Sequence, residues 1–249
     1  LPRKREKNEE TAAAEAAFLA SYDPSAFERL SVAVDVVLFG IVRDALHVLL
    51  VRRDGFPFRG AYALPGGFVA PVESLDAAAA RILSAKAKLS GIFLEQLYTF
   101  GEPDRDPRTR VVGIAYYALV DEARFTSTAA PPEAIFGTVV SDPGGRIRLL
   151  DEDDRTLDLA FDHNDIVALA VARIRGKLDY APIGFELLPE RFTLLELQRV
   201  HERIAGRSFN KDSFRRKVLA SGLIAPTGAS QVAAAHRPAA LYRFARPKR

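Results

Sequence analysis

Residues Gly60–Gly91 read GAYALPGGFVAPVESLDAAAARILSAKAKLSG, and this stretch decides the fold. It opens with a proline and paired glycines, which break regular structure. It closes with an alanine-rich run that predicts a helix from about Ser74 to Leu89. Upstream, SVAVDVVLFG (31–40) and LHVLLVRR (46–53) are β-branched, partly alternating runs around a turn at Arg43–Ala45, and they predict a hairpin. Downstream, LEQLYTFG, VVGIAYYALV and short runs as far as Leu150 predict further strands. DHNDIVALAVARIRGKL (162–178) then predicts an amphipathic helix, begun by an Asp or Asn cap and ended near Gly176. Residues 1–29 form a polar extension with one short Ala-rich helix around Glu9–Ala20.

The tail follows its own pattern. Thr193 and Glu196 have the spacing of a capping box ahead of Leu194, Leu197, Val200 and Ile204, a helical stripe closed by Gly206. Asn210 is placed to cap a second helix running to Gly222, with Phe214 and Val218 inward and Lys211, Arg215 and Arg216 outward. LIAPTG and ALYRFA follow as two strands around a long loop. Helix, short turn, helix and hairpin make a winged helix-turn-helix. From Ala181 onward there are 13 Lys/Arg against 5 Asp/Glu, a net +8, while the remainder is −5. Such an asymmetry points to a polyanion partner for the tail. The predicted domains are an extension (1–29), a middle domain (30–178) and a DNA-binding domain (179–249).

The absence of cysteine rules out disulfides and thiolate metal sites. No apolar run approaches the roughly 20 residues that span a bilayer. The basic start of the chain is not followed by an apolar core, so neither a signal peptide nor a membrane partner is expected, and a cytoplasmic location is. Methionine is also absent from all 249 positions, which chance seldom produces at this length.

The opening stretch resembles the Nudix box, G-x5-E-x7-R-E-U-x-E-E-x-G-U with U aliphatic. Gly67, Glu73 and Arg81 fall on the first three fixed positions, and Leu83 and Leu89 on aliphatic ones. In Nudix hydrolases the later glutamates share divalent cations that bridge a diphosphate and activate water. Here those positions hold Ile82, Ala85 and Lys86, and the box glycine is Lys88. Between Glu73 and Glu95 the only acid is Asp76. No metal site and no catalytic residue are therefore expected.

The segments YTFGEPDRDPRTR, VVGIAYYALV, AFDHNDIVALAVARIRGKLDYAPIGFELLP and FTLLELQRVHE extend the likeness. From about Tyr22 to Phe244 the chain resembles the Nudix-related transcriptional regulators, the NrtR family. The resemblance implies an α+β fold: a Nudix-type α/β/α sandwich with a mixed sheet, followed by the winged helix-turn-helix. It implies a homodimeric repressor of NAD-metabolism genes that binds a double-stranded, inverted-repeat operator. ADP-ribose or a related nucleotide diphosphate would be the effector, with no cofactor required. The alternative is an active ADP-ribose pyrophosphatase whose tail serves dimerisation or nucleic-acid contact.

Candidate ligand residues follow from the chemistry of a diphosphate. Arg105 and Arg108, with Arg110 nearby, lie in a proline-rich loop where guanidinium forks can clamp phosphate, or can pair locally with Asp104 and Asp106. Arg52 and Arg53 end a strand beside GFPFRGAY, where Phe58 can stack on a base or simply pack at the core or rim. Gly66 and Gly67 permit close backbone approach, Glu73 remains from the box, and Lys86 either holds an anion or is a solvated helix position. His163 reads as a cap or a satisfied polar contact. For DNA, Asn210, Lys211, Ser213 and Arg215 are placed towards base edges. Arg216 and Lys217 suit phosphates, with Asp212–Arg216 pairing as the local alternative, and Thr227, His236 and Arg237 belong to the wing.

Overall fold

The computed structural model describes residues 2–127, 134–142, 144–178, 181–231 and 238–245, with side chains described from residue 11 onward. Two units are distinguished, residues 1–31 and 32–249. In the first, helix α1 runs Pro2–Ser21, longer than the expected Glu9–Ala20, because the charged stretch before the alanines continues the same helix. A single 3-10 turn, Pro24–Ala26, follows; the Asp23 carboxylate caps it by accepting from the Ser25 amide at 2.8 Å.

The second unit is built on one sheet. Strands β1 (Ser31–Val42) and β2 (Ala45–Arg52) form the expected antiparallel hairpin. Arg43 and Asp44 both have positive φ, 47° and 65°, the geometry that matches a tight turn to the twist of its strands. Then come β3 (Tyr62–Ala63), β4 (Gly66–Phe68), helix α2 (Leu75–Ala87), β5 (Glu95–Phe100) and β6 (Val111–Leu119). Helix α3 (Glu122–Ser127), β7 (Ala134–Ser141), β8 (Ile147–Leu150) and helix α4 (His163–Lys177) complete this part. The strand order is β5-β6-β1-β2-β7-β8, with β3 added to β2 and β4 to β1. The sheet is mixed.

Alternation along the strands divides the apolar side chains between two faces. Val34, Val36 and Leu38 of β1 pack with Ala78, Ala79, Ile82 and Leu83 of α2 and with Phe125 of α3. Val37 and Phe39 face Ile166, Val167, Val171 and Ile174 of α4, each of these worth about 1.5–3 kcal/mol when fully buried. The result is the expected α/β/α sandwich. Asp35 lies between Val34 and Val36, so the same alternation turns its carboxylate to the α4 face.

The tail forms a 3-10 segment (Ile183–Leu187), α5 (Leu194–Ala205), α6 (Lys211–Ala220) and a hairpin of β9 (Ile224–Gln231) and β10 (Ala239–Phe244). The capping box at Thr193 and Glu196 is complete, and Gly206 closes α5 in the left-handed conformation. Phe192 and Tyr242 exchange two backbone hydrogen bonds, which close the hairpin onto the start of α5. Leu197, Val200, Ile204 and Phe214 join the core on the α4 face of the sheet. The helix-turn-helix is thus packed on the sandwich through one continuous apolar cluster. Among the described residues no helix is long and apolar enough to cross a membrane.

Candidate ligand cleft and nucleic-acid interface

Where β1 and β4 meet the start of α4, a cleft of 180 Å³ opens to the surface. Its glycines are Gly66 and Gly67, and its cations are Arg53, Arg105 and Arg108. A Cβ on Gly66 would lie 2.1 Å from Oδ1 of Asp35, so only glycine lets the loop lie against that carboxylate. Asp35 and His163 are buried at the cleft floor, 7% and 4% exposed.

The floor is a polar network anchored at the N-terminus of α4. Arg105 forks onto Asp162 with bonds of 2.8 and 2.7 Å and stands 3.7 Å from Asp35. This corrects the expectation of a free clamp or a local pair: Arg105 is held by a residue 57 positions away. It also corrects the cap of α4. Asp162 occupies the N-cap position but makes no capping bond, because its carboxylate is turned to Arg105. Burial opposes the charge on Arg105, and the bonds to Asp162 together with the charges of Asp162, Asp35 and Asp106 outweigh it, leaving its pKa above the ordinary guanidinium value. Burial raises the Asp35 carboxyl, against the lowering by His163 and Arg105. Burial likewise lowers His163. Its Nδ1 accepts from the Leu64 amide at 2.9 Å, which assigns the neutral ring's proton to Nε2, 3.6 Å from Asp35.

The other walls are cationic and aromatic. Arg108 forks onto Asp106 at 3.0 and 2.7 Å, the local pairing foreseen as an alternative, and lies 5.4 Å from Phe68 and 5.8 Å from Phe161. Arg53 donates to the Pro57 carbonyl and lies 4.7 Å over the Phe161 ring. Its pKa is lowered, first by burial and then by the charge of Arg108. Among the described residues Arg53 makes no ion pair. Phe58 is outside the cleft lining and braces Phe161 edge-on at 4.9 Å.

Arg52, Glu73 and Lys86 do not line the cleft. Arg52 is exposed and donates to the Gly60 carbonyl at 3.2 Å. Glu73 receives two bonds from Arg81, at 2.9 and 2.5 Å, and one from the Ala70 amide at 2.8 Å. The Arg81 bonds and then the Ala70 amide hold its pKa at about 2. Asp76, the other acid of the box, accepts from the Tyr116 hydroxyl at 2.7 Å. Burial and this carboxylate push Tyr116 up to about 12. Ile82 is buried beneath Gly67, while Ala85 and Lys86 face solvent on α2. Among the described residues no three His, Cys, Asp or Glu side chains converge as metal ligands.

In the tail, α6 buries Phe214 and exposes Lys211, Arg215, Arg216 and Lys217. Asn210 accepts from the Ser213 amide at 3.0 Å, so its side chain is committed to the cap. Arg216 reaches Ser213 Oγ at 3.5 Å rather than Asp212. Asn210, Ser213 and Lys217, all exposed, border a 370 Å³ hollow between α6 and the segment around Pro182–Phe185. Lys211, Arg215 and Arg216 stand clear of it. Thr227 donates to the Leu241 carbonyl at 2.9 Å and holds the wing together instead of reaching outward. His236 and Arg237 lie outside the described residues.

Known proteins share both halves of this arrangement. Residues 29–148 match the family model for the NUDIX domain, and residues 184–244 match that for the NrtR DNA-binding winged helix domain. Over 233 residues the chain is 36% identical to the "ADPR responsive transcriptional repressor NtrR" of Acinetobacter baylyi, covering 93% of this chain and 88% of the relative. The chain belongs to the NrtR family. Shewanella oneidensis NrtR, complexed with a 27mer DNA, is similar at TM-score 0.70 and 34% identity, covering 86% of this chain and 93% of that one. The NUDIX domain of the same protein, complexed with ADP ribose, is similar at TM-score 0.51 and 35% identity, covering 64% and 98%.

Sequence reasoning about this NrtR-family chain missed Asp35, Asp106, Asp162, Phe68 and Phe161 as parts of the cleft. For Asp35 a signal existed. A lone carboxylate within SVAVDVVLFG sits at a position that the strand must bury, and a buried charge requires a partner. For Phe161 and Asp162 the sequence carries no comparable mark, since their roles depend on where α4 meets β1.

Proposed function

We propose that this NrtR-family protein is a ligand-responsive transcriptional repressor whose Nudix-like part holds a nucleotide diphosphate without cleaving it. The single observation that carries the reading is the state of the box. Glu73 is engaged by Arg81 and Asp76 by Tyr116, with Ile82, Ala85 and Lys86 where carboxylates would gather cations. The residues present do not fit the metal of a Nudix hydrolase. Arg53, Arg105 and Arg108 supply guanidinium groups for a diphosphate, and Gly66 and Gly67 allow its close approach. At 180 Å³ the cleft is smaller than the roughly 300–1,000 Å³ of drug-sized sites, so the remainder of the ligand lies over the aromatic rim at Phe58 and Phe68.

ADP-ribose is the effector that the relatives' names favour. The exposed Lys211, Arg215 and Arg216 of α6 are the groups for the major groove. One winged helix reads few base pairs, so a homodimer on an inverted repeat supplies the specificity, with NAD-metabolism genes the expected targets and the cytoplasm the place of action. The working division is 1–29, 30–178 and 179–249, with no cofactor required.

The test is operator binding by fluorescence anisotropy, titrated with ADP-ribose, NAD and AMP, beside an assay for ADP-ribose hydrolysis in Mg²⁺ and Mn²⁺. Release of the operator by ADP-ribose at concentrations shown to saturate the protein, without AMP formation, is the expected result. Unchanged operator affinity sinks the sensor, and release of AMP and ribose 5-phosphate sinks the loss of catalysis.

A further inference from the structure

Helix α4 touches both the cleft and the first helix of the helix-turn-helix. Its first turn supplies His163 to the cleft floor and is preceded by Asp162, the partner of Arg105. Thirteen residues on, about 20 Å along the helix at 1.5 Å per residue, Arg175 leaves the sandwich for the helix-turn-helix. Its Nε donates to the Ile204 carbonyl in the last turn of α5 at 2.9 Å, and its Nη2 donates to Ser141 Oγ at the end of β7 at 2.9 Å. The carbonyls of a last helical turn have no partner within the helix, so the guanidinium satisfies one. Gly206, with φ of 70°, makes room for it: a Cβ there would stand 3.1 Å from Nη2.

What lies beyond Ile204 is tied back to α5. The Phe209 amide donates to Glu202 at 2.8 Å, and Gln198 donates to the Phe209 carbonyl at 3.1 Å and to Glu202 at 2.9 Å. The turn into α6 is thereby locked to α5, and the pose of the Ile204 carbonyl is inherited by Asn210 and Lys211. The neighbouring basic side chains of α4 go elsewhere, Arg173 to the Leu97 carbonyl and Lys177 to Glu95. A second polar link, Arg203 to Asp44, has side chains 41% and 53% exposed and is screened by solvent.

The other end of α4 is held by an ion pair in place of a cap. Asp162 stands at the N-cap without capping because Arg105 holds it. An anion that takes the Arg105 guanidinium frees Asp162 to accept from the amides of the first turn, as an N-cap aspartate does.

We propose that Arg175 is the positioning residue through which the state of the cleft reaches the recognition helix. This rests on the ligand-responsive reading above. It is tested with the full chain, an operator duplex selected from genomic fragments, and ADP-ribose. Operator affinity is measured with and without saturating ADP-ribose, and ADP-ribose affinity is measured by calorimetry. The wild type is expected to lose operator affinity within the about 5–150-fold range typical of allosteric coupling. Arg175→Ala is expected to bind ADP-ribose as the wild type does, yet to change its operator affinity by less than about twofold when loaded. Arg175→Lys, which retains one donor for Ile204, recovers part of the response. An Arg175→Ala protein that releases the operator by the wild-type factor overturns the proposal. Should that variant fail to fold, Arg175→Gln, shorter and without the guanidinium that reaches Ile204, decides in its place, and release of the operator by the wild-type factor there is equally fatal. A wild type that binds ADP-ribose and keeps its operator affinity overturns the sensor reading itself, and the coupling with it.

Discussion

The cleft and the recognition helix are both rich in arginine, and they hold their charges in opposite ways. Arg105 has a side chain 5% exposed, forked onto Asp162 and close to Asp35, and Arg108 is forked onto Asp106. On α6, Lys211, Arg215 and Arg216 stand in solvent on a helix anchored by one buried residue, Phe214. Charges in a low-dielectric site are strong, directional and costly to leave alone. Charges on an exposed helix are weak individually, additive and screened by salt. The first arrangement suits recognition of one small anion with fixed geometry. The second suits a long polyanion met at many points.

The largest effect that would test this contrast is loss of the cleft cation. Arg105→Ala leaves Asp35 and Asp162 without their partner in a buried site and should cost about 3–5 kcal/mol in urea denaturation. A cost under 1 kcal/mol would mean that water already reaches the floor, and the contrast would weaken. A second effect is the cleft's share of the pH dependence, to which His47, outside the cleft and also lowered by burial, adds in the same sense. Burial lowers His163 below its ordinary 6.5, so below that pH the unfolded chain takes up a proton that the folded chain resists. Stability is therefore expected to fall as pH drops from 6.5 towards the lower folded value. Asp35 acts in the opposite sense: its raised pKa favours the folded state as pH falls from the raised value towards 3.8. Melting temperatures from pH 7.5 to 5 should decline for the wild type and stay flatter for His163→Gln, which cannot titrate. Parallel curves would remove His163 as the cause.

On the exposed side the expected effects are smaller. Asn210→Ala deletes the cap of α6, the bond from the Ser213 amide, and should cost about 1 kcal/mol. Arg215→Ala should change stability by no more than about 0.5 kcal/mol. If it contacts a phosphate, the slope of log affinity against log salt should fall by about 1; if it reads a base edge, discrimination between operator and random DNA should fall instead. A loss of fold stability comparable to that of Arg105→Ala would show the two regions to be alike.

Local chemistry determined much of this protein in advance. The hairpin of β1 and β2, the helix of the box, the capping box of α5, the cap of α6 and the order of the winged helix all follow from residues within a few positions of each other. Periodicity and capping are local effects, so they are legible in a line of letters. The substitutions at Ile82, Ala85 and Lys86 were equally legible, because a missing carboxylate is missing in any fold. The cleft was legible only in part. Arg53, Arg105 and Arg108 with Gly66 and Gly67 could be named, but Arg52 and Lys86 carry the same charge, Glu73 belongs to the same box, and all three lie elsewhere. Nothing local says that Arg105 meets Asp162 across 57 residues, or that Leu64 and His163 meet across 99. Nothing local sends Arg175 to the end of α5 while Arg173 goes to β5. Those outcomes were decided by the stacking of α4 on the sheet, because burial selects which charges find partners. A charge that the core removes from water must bond to whatever the fold has placed beside it.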